Sequence, residues 1–222
     1  MNNIEAVELN EDQWNEIIAE VEAEERNPKH DASAFGPRNI DKDRSPFAIF
    51  SRFFDIEVLT LLVNETNRYY EQYATSVEGI ENMKPHARAR AYKNVNIPEM
   101  KAFLAMLLYI GLVFLPSYDD YWSKESLIDL KSIKAIMPRD IFLDILLFIH
   151  TVDNCQGPPH ESPEYNPTYK ISQISALLLD RWQRYYYPNR QISVDETLIP
   201  FKGRTKLLQY IPSKPHKWGL KV

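Results

Sequence analysis

Apolar positions recur at helical spacing through the middle of the chain. Ser45-Pro46 offers a capping hydroxyl followed by proline at the first helical position, and Phe47, Phe50, Phe53 and Phe54 then share one stripe. Asp55 can cap a second helix whose Val58, Leu59, Leu62 and Val63 face a core, with Gly79 just past its end. Lys84, Arg88, Arg90 and Lys93 make the following stretch a basic loop. Asn96 and Glu99 have the spacing of a capping box and open the most apolar helix, 97–115, which Pro116 stops. That helix is apolar nearly all round, which predicts a central position. Two more helices are expected over Leu127–Met137 and Pro138–Thr151, the second with a Phe142, Ile145, Leu146, Ile149 stripe.

Pro158, Pro159, Pro163 and Pro167 predict a surface loop over 152–168. Tyr169–Tyr187 returns to helix, with Ile171, Ile174, Leu177, Leu178, Trp182 and Tyr185 as its buried face and Pro188 as its stop. The period then changes. Gln191–Ile199 is β-rich, and Ile192-Ser193-Val194-Asp195 reads as a strand carrying a carboxylate. Phe201–Arg204 reads as a turn, and Leu207–Ile211 and Trp218–Val222 as extended segments separated by Pro212 and Pro215. At the other end, Trp14, Ile17, Ile18 and Val21 suggest a short amphipathic helix within Glu11–Glu25, followed by polar sequence. Residues 1–45 are therefore expected to be an acidic, mostly disordered arm and linker, 46–190 a helical domain, and 191–222 a β-rich segment.

Charge sharpens this division. The net charge of −5 conceals an acidic start, with nine carboxylates and no Lys or Arg in residues 1–25. Residues 181–222 carry nine Lys or Arg against Asp195 and Glu196. A basic end of this kind suits a polyanion, and an acidic arm suits solvent or a basic partner. Cys155 is the single cysteine, which excludes an internal disulfide and any zinc site needing two or more thiolates within the chain. The longest uncharged apolar run, Ala102–Leu115, is too short to span a bilayer, so no membrane role is expected. Residues 1–10 lack the basic and apolar regions of a secretory signal.

The final block carries the most specific pattern. Ser193-Val194-Asp195-Glu196, Phe201-Lys202-Gly203-Arg204, Gln209-Tyr210-Ile211-Pro212, Lys214-Pro215 and Lys217-Trp218-Gly219-Leu220-Lys221 together resemble the opening of the DDE domain of piggyBac-type transposases. Upstream matches include Glu65-Thr66-Asn67, Lys101-Ala102-Phe103-Leu104, Tyr121-Trp122-Ser123 and His150 with Asp153-Asn154, so the resemblance covers about 46–222. Ile141 and Thr151 depart from the family pattern, within the helical region.

The resemblance implies a mainly α-helical domain followed by the first strands of an incomplete RNase H-like α/β domain. It implies cut-and-paste DNA transposition at TTAA targets, a nuclear location, and a helical region that serves dimerisation and DNA binding in a homodimer. Asp195 matches the family's first catalytic, metal-binding aspartate, with Mg2+ as the implied ion. Lys202, Arg204, Lys214 and Lys217 are candidate phosphate contacts, since Lys and Arg position a duplex without reading its bases. Glu196 is a poor partner ligand, because neighbouring strand side chains point to opposite faces. The family's second and third aspartates, insertion domain and cysteine-rich zinc domain would lie beyond Val222. The expectation is therefore a truncated or domesticated copy that associates with DNA without catalysis of its own. The alternatives are a competent transposase subunit whose other acids are encoded elsewhere, and a helical protein-interaction module.

Overall fold

The computed structural model describes residues 35–76, 82–124, 129–159, 161–189, 191–193, 197–201, 203, 205 and 207–221. The amphipathic stripe around Trp14 and the helix stop at Gly79 lie outside these residues. The fold is mostly helical with two small antiparallel sheets, and the chain divides into two compact units.

The smaller unit comprises the N-terminal residues to Asn39 together with Arg184–Asp195. Its described part holds strand β1 (Gly36–Pro37), paired antiparallel with strand β2 (Tyr186–Tyr187). Gly36 has φ +108°, a conformation that side chains resist. The Arg38 amide donates to the Tyr185 carbonyl at 2.9 Å, and Asn39 Nδ2 donates to the Arg184 carbonyl at 2.8 Å. Arg38 also lies over the Tyr187 ring, 5.0 Å from its centroid. Part of the expected linker is thus ordered. The helix expected to run to Tyr187 ends at Tyr185, because Tyr186 and Tyr187 give their backbone to this ladder.

The larger unit begins with α1 (Pro46–Phe53), capped by the Ser45 hydroxyl, which accepts from the Ala48 amide. Helix α2 (Ile56–Thr75) is capped by Asp55, whose Oδ1 accepts from the Glu57 and Val58 amides at 3.1 Å each. A 3-10 turn at Arg88–Ala91 interrupts the expected basic loop. Helix α3 (Ile97–Leu112) opens with the expected capping box: the Asn96 side chain accepts from the Glu99 amide, and the Glu99 carboxylate accepts from the Asn96 amide. Helices α4 (Lys131–Ile136) and α5 (Arg139–Phe148) follow. After the proline loop comes α6 (Tyr169–Tyr185).

The core gathers Val58, Leu59 and Leu62 of α2, Met100, Phe103 and Met106 of α3, Ile133 of α4, and Phe142, Ile145 and Phe148 of α5. Burying such side chains stabilises by about 1.5–3 kcal/mol each. Phe148 is ringed by Tyr69, Tyr70, Tyr73 and Tyr92, with centroids 5.0–6.3 Å away. Polar side chains fasten the loops. Asn67 donates to the Val95 carbonyl at 2.9 Å and accepts from the Val95 amide at 2.8 Å, as a neighbouring strand would. The buried Tyr121 hydroxyl donates to the Val113 carbonyl and accepts from the Leu115 amide, which satisfies the chain just past α3. Trp122 Nε1 donates to the Met137 carbonyl at 2.8 Å.

Two expected burial patterns need correction. Helix α3 packs against α2 and α4 on its Met100, Phe103, Met106 stripe, whereas Leu108 is exposed and Leu112 is 87% exposed. Its apolar character is all round, but its burial is one-sided. On α6, Ile174 and Leu177 pack against the core while Ile171 and Trp182 are exposed. The buried position there is Arg181, whose side chain is only 4% exposed. Its guanidinium donates to Asp55 Oδ2 through Nη2 at 2.9 Å and Nε at 3.2 Å, to Glu57, and to Asp180 at 3.1 Å. The carboxylates at the start of α2 therefore dictate which residue of α6 turns inward.

Asp55 thus uses one oxygen to cap α2 and the other to hold α6. Asp55→Asn is expected to keep the cap and lose the ion pair, and Arg181→Met to lose the same pair from the other side. Each should cost about 1.5–3 kcal/mol, below the value for a fully buried pair because Asp55 and Glu57 side chains are 32% and 64% exposed. Asp55→Ala should cost about 1 kcal/mol more, the value of the cap. Urea denaturation of the three variants and the double variants checks this order. Equal losses for Asp55→Asn and Asp55→Ala would show that the cap contributes nothing.

His150 gives a pH dependence. Its ring stacks on Tyr69 with centroids 3.5 Å apart, Nδ1 lies 3.1 Å from the Phe148 carbonyl, and Asn154 Nδ2 lies 3.0 Å from Nε2. These partners suit a neutral ring that donates from Nδ1 and accepts at Nε2. Burial, aided by Lys170, holds its pKa below the ordinary 6.5, despite the opposing pull of the Phe148 carbonyl and Glu65. A lowered pKa means that the stability this site supplies is full above pH 6.5 and is lost as pH falls through the folded value. His150→Gln should flatten the fall in the urea midpoint between neutral pH and about pH 5. An undiminished fall would place the acid sensitivity elsewhere.

Candidate nucleic-acid interface

The sequence directs attention to the segment after residue 196. Its described residues form strands β3 (Leu198–Pro200), β4 (Leu208–Tyr210) and β5 (Trp218–Lys221). The order is β3-β5-β4, so the last strand is central and both its neighbours are antiparallel to it. Pro200, which has no amide hydrogen to give, sits on an edge strand, where proline is tolerated. Gly219 is required by close approach: an added Cβ would lie 2.4 Å from the Ile199 carbonyl oxygen and 2.8 Å from Leu198 Cγ.

The register assigns the side chains to faces. Leu208 pairs with Leu220 and Tyr210 with Trp218, while Ile199 also opposes Leu220. The two-residue period puts Ile199, Leu208, Tyr210, Trp218 and Leu220 on one face, and Gln209 and Lys221 on the other. The β4–β5 connection, Ile211–Lys217, is closed by the Ile211 amide donating to the Lys217 carbonyl at 2.8 Å. Pro212 and Pro215 stiffen it, and it carries Lys214 (half-buried) and Lys217 (exposed). Residues 197–222 contain Lys202, Arg204, Lys206, Lys214, Lys217 and Lys221 and no carboxylate.

Of the site residues expected from sequence, the structure brings Lys214 and Lys217 onto this one loop. Asp195, Lys202 and Arg204 lie outside the described residues, as does half of the strand expected over Ile192–Asp195; Ile192 and Ser193 are not in a strand. Among the described residues no three His, Cys, Asp or Glu side chains are grouped so as to hold a metal ion. The other basic stretch is mixed in charge: Arg90 donates to the Met83 carbonyl at 2.9 Å, and Lys93 shares a recess with Glu99, Asp140 and Asp144. The two basic regions are thus not equivalent.

The order of residues sets Phe201, Tyr210 and Trp218 among the lysines but does not show that two of them form a pair. The Tyr210 and Trp218 rings lie 4.9 Å apart at 49°, and both are about half exposed. Strand alternation read together with the hairpin register was the signal that would have found them. No described helix is long and apolar enough to cross a membrane.

The family model described as Transposase IS4 matches residues 45–222. Human PiggyBac transposable element-derived protein 3 is 27% identical over 178 residues, covering 80% of this chain and 26% of that protein. Human PiggyBac transposable element-derived protein 2 is 23% identical over 188 residues, covering 82% of this chain and 27% of that protein. The chain thus spans about a quarter of the length of these relatives. Among solved structures, the cryo-EM structure of a piggyBac transposase synaptic complex with hairpin DNA matches with a TM-score of 0.68 and 25% identity, over 84% of this chain and 37% of that one. The chain belongs to the transposase family described as Transposase IS4, and is a piggyBac transposase-like protein related to the piggyBac-derived proteins.

Proposed function

We propose that this chain associates with DNA through its basic C-terminal sheet, as a piggyBac-type transposase segment or a domesticated derivative of one. The observation that carries this reading is the run of six cations without a carboxylate in 197–222, with Lys217 displayed on a proline-stiffened hairpin. Such a surface neutralises phosphate and releases counterions without selecting sequence. The solved neighbour being a transposase complex with hairpin DNA supports the same reading. In this proposal residues 191–222 open an RNase H-like domain, the helical region serves a homodimer, and TTAA-flanked transposon ends in the nucleus are the target.

DDE transposases as a class use divalent metal. Asp195 would be one ligand, with Mg2+ as the ion, since a hard cation takes carboxylate oxygens. The proposal for this chain is DNA binding.

Fluorescence anisotropy with a duplex oligonucleotide tests the binding. Log affinity should fall linearly with log salt, and replacing Lys202, Arg204, Lys214 and Lys217 by Gln should reduce the slope by up to about 3.6. An unchanged slope would show that this face does not meet phosphate. Asp195→Ala should leave this binding unaltered, because phosphate contact rests on the cations. Weakened binding in Asp195→Ala would overturn the assignment of DNA contact to the lysines and arginines alone.

A further inference from the structure

The side chain of Asn154 is used at one end only. Its Nδ2 lies 3.0 Å from His150 Nε2, while its Oδ1 is buried with no hydrogen-bond partner among the described residues. Buried polar atoms are nearly always paired, so an orphan of this kind calls for a reason.

The two protonation states of the ring supply one. Nδ1 lies 3.1 Å from the Phe148 carbonyl, so Nδ1 carries a hydrogen in the neutral and the charged ring alike. Only Nε2 changes character, from acceptor in the neutral ring to donor in the charged one. An amide has an end for each case: its NH2 suits the neutral ring, and its carbonyl oxygen suits the imidazolium. Half a turn about the last side-chain bond exchanges the two ends. Because Oδ1 has no partner to give up, the turn breaks no second hydrogen bond and only replaces one orphan by another.

The surroundings hold the ring still and leave the amide to move. Tyr69 stacks on the imidazole with centroids 3.5 Å apart, and the His150 amide donates to the Thr66 hydroxyl at 3.4 Å. The backbone at Asn154 is fixed separately, by Asp153 accepting from the Cys155 amide at 2.9 Å and from Gln72 at 2.8 Å. Charges from the neighbouring elements oppose one another. Glu65 of α2 draws a proton toward the ring but is paired with Arg68 at 2.7 Å, and Lys170 of α6 repels it.

We propose that Asn154 is a proton-coupled switch, donating to His150 Nε2 when the ring is neutral and turning its amide to accept from Nε2 when the ring is charged. The proton comes from solvent and no other bond is broken. The consequence goes beyond the acid sensitivity derived above: His150 takes up its proton inside the folded chain, and the joint between α2 and the 150–154 segment survives mild acid instead of opening. The switch is independent of the DNA-binding reading.

The sign of one shift tests it, in an NMR titration of the His150 ring in the full chain. Asn154→Leu keeps the bulk of the side chain and removes both polar ends. If the amide turns, the charged ring loses a stronger hydrogen bond than the neutral ring does, and the midpoint should fall by about one pH unit. An amide fixed with its NH2 toward the ring would instead oppose protonation, so its removal would raise the midpoint. In the wild-type chain, the Asn154 side-chain NH2 resonance, assigned through its own backbone, should shift with the same midpoint as the ring. That wild-type measurement decides the matter alone if Asn154→Leu does not fold. A raised or unchanged midpoint in Asn154→Leu, or an NH2 resonance that stays still through the ring's titration, would overturn the switch. Unfolding of the wild-type chain before the ring takes up its proton, seen by circular dichroism, would overturn it equally.

Discussion

The helical body is organised by one carboxylate used twice. Asp55 caps α2 with one oxygen and receives the Arg181 guanidinium on the other, across 126 positions of sequence. A lone buried guanidinium would be costly, since desolvation of an unpaired charge exceeds what packing around it returns. Arg181 is therefore inside only because Asp55, Glu57 and Asp180 converge on it. The arrangement fixes the rotation of α6 about its axis, leaving Trp182 at the surface and Ile174 and Leu177 against the core.

A second tier of polar contacts does for the loops what Asp55 does for the helices. Asn67 acts on Val95 as a strand neighbour would, and Tyr121 closes the end of α3. Gln72 donates to Asp153 at 2.8 Å, and the Tyr169 hydroxyl donates to the Asp153 carbonyl, which binds the proline loop to helices on both sides. These contacts spend side-chain polarity inward. The sheet does the opposite, presenting the Tyr210 and Trp218 rings and Lys217 outward. That contrast in the direction of polar groups separates the scaffold from the surface suited to a polyanion.

The capping chemistry was legible before any coordinates. Ser45, Asp55 and the Asn96–Glu99 pair each act where their spacing placed them, because a cap is a local bargain between one side chain and the next turn. Long-range choices were not legible. Nothing local to Arg181 distinguishes it from a surface arginine, and its burial depends on acids far away in sequence. Helix α3 looks central because its residues are apolar on every side, yet a helix is buried only where neighbours exist to cover it. The ladder of Gly36–Pro37 with Tyr186–Tyr187 was missed for the same reason, as two residues carry no periodicity. At the candidate site, the lysines declared themselves through composition, whereas the ring pair required the register.

Amide hydrogen exchange of the full chain with and without duplex DNA tests the central claim most directly, because it reports where on the chain the polyanion lies. The account predicts slowed exchange within residues 207–221, concentrated in the Ile211–Lys217 loop and its two strands. Protection confined to the loop around residues 82–95, with none in 207–221, would contradict it.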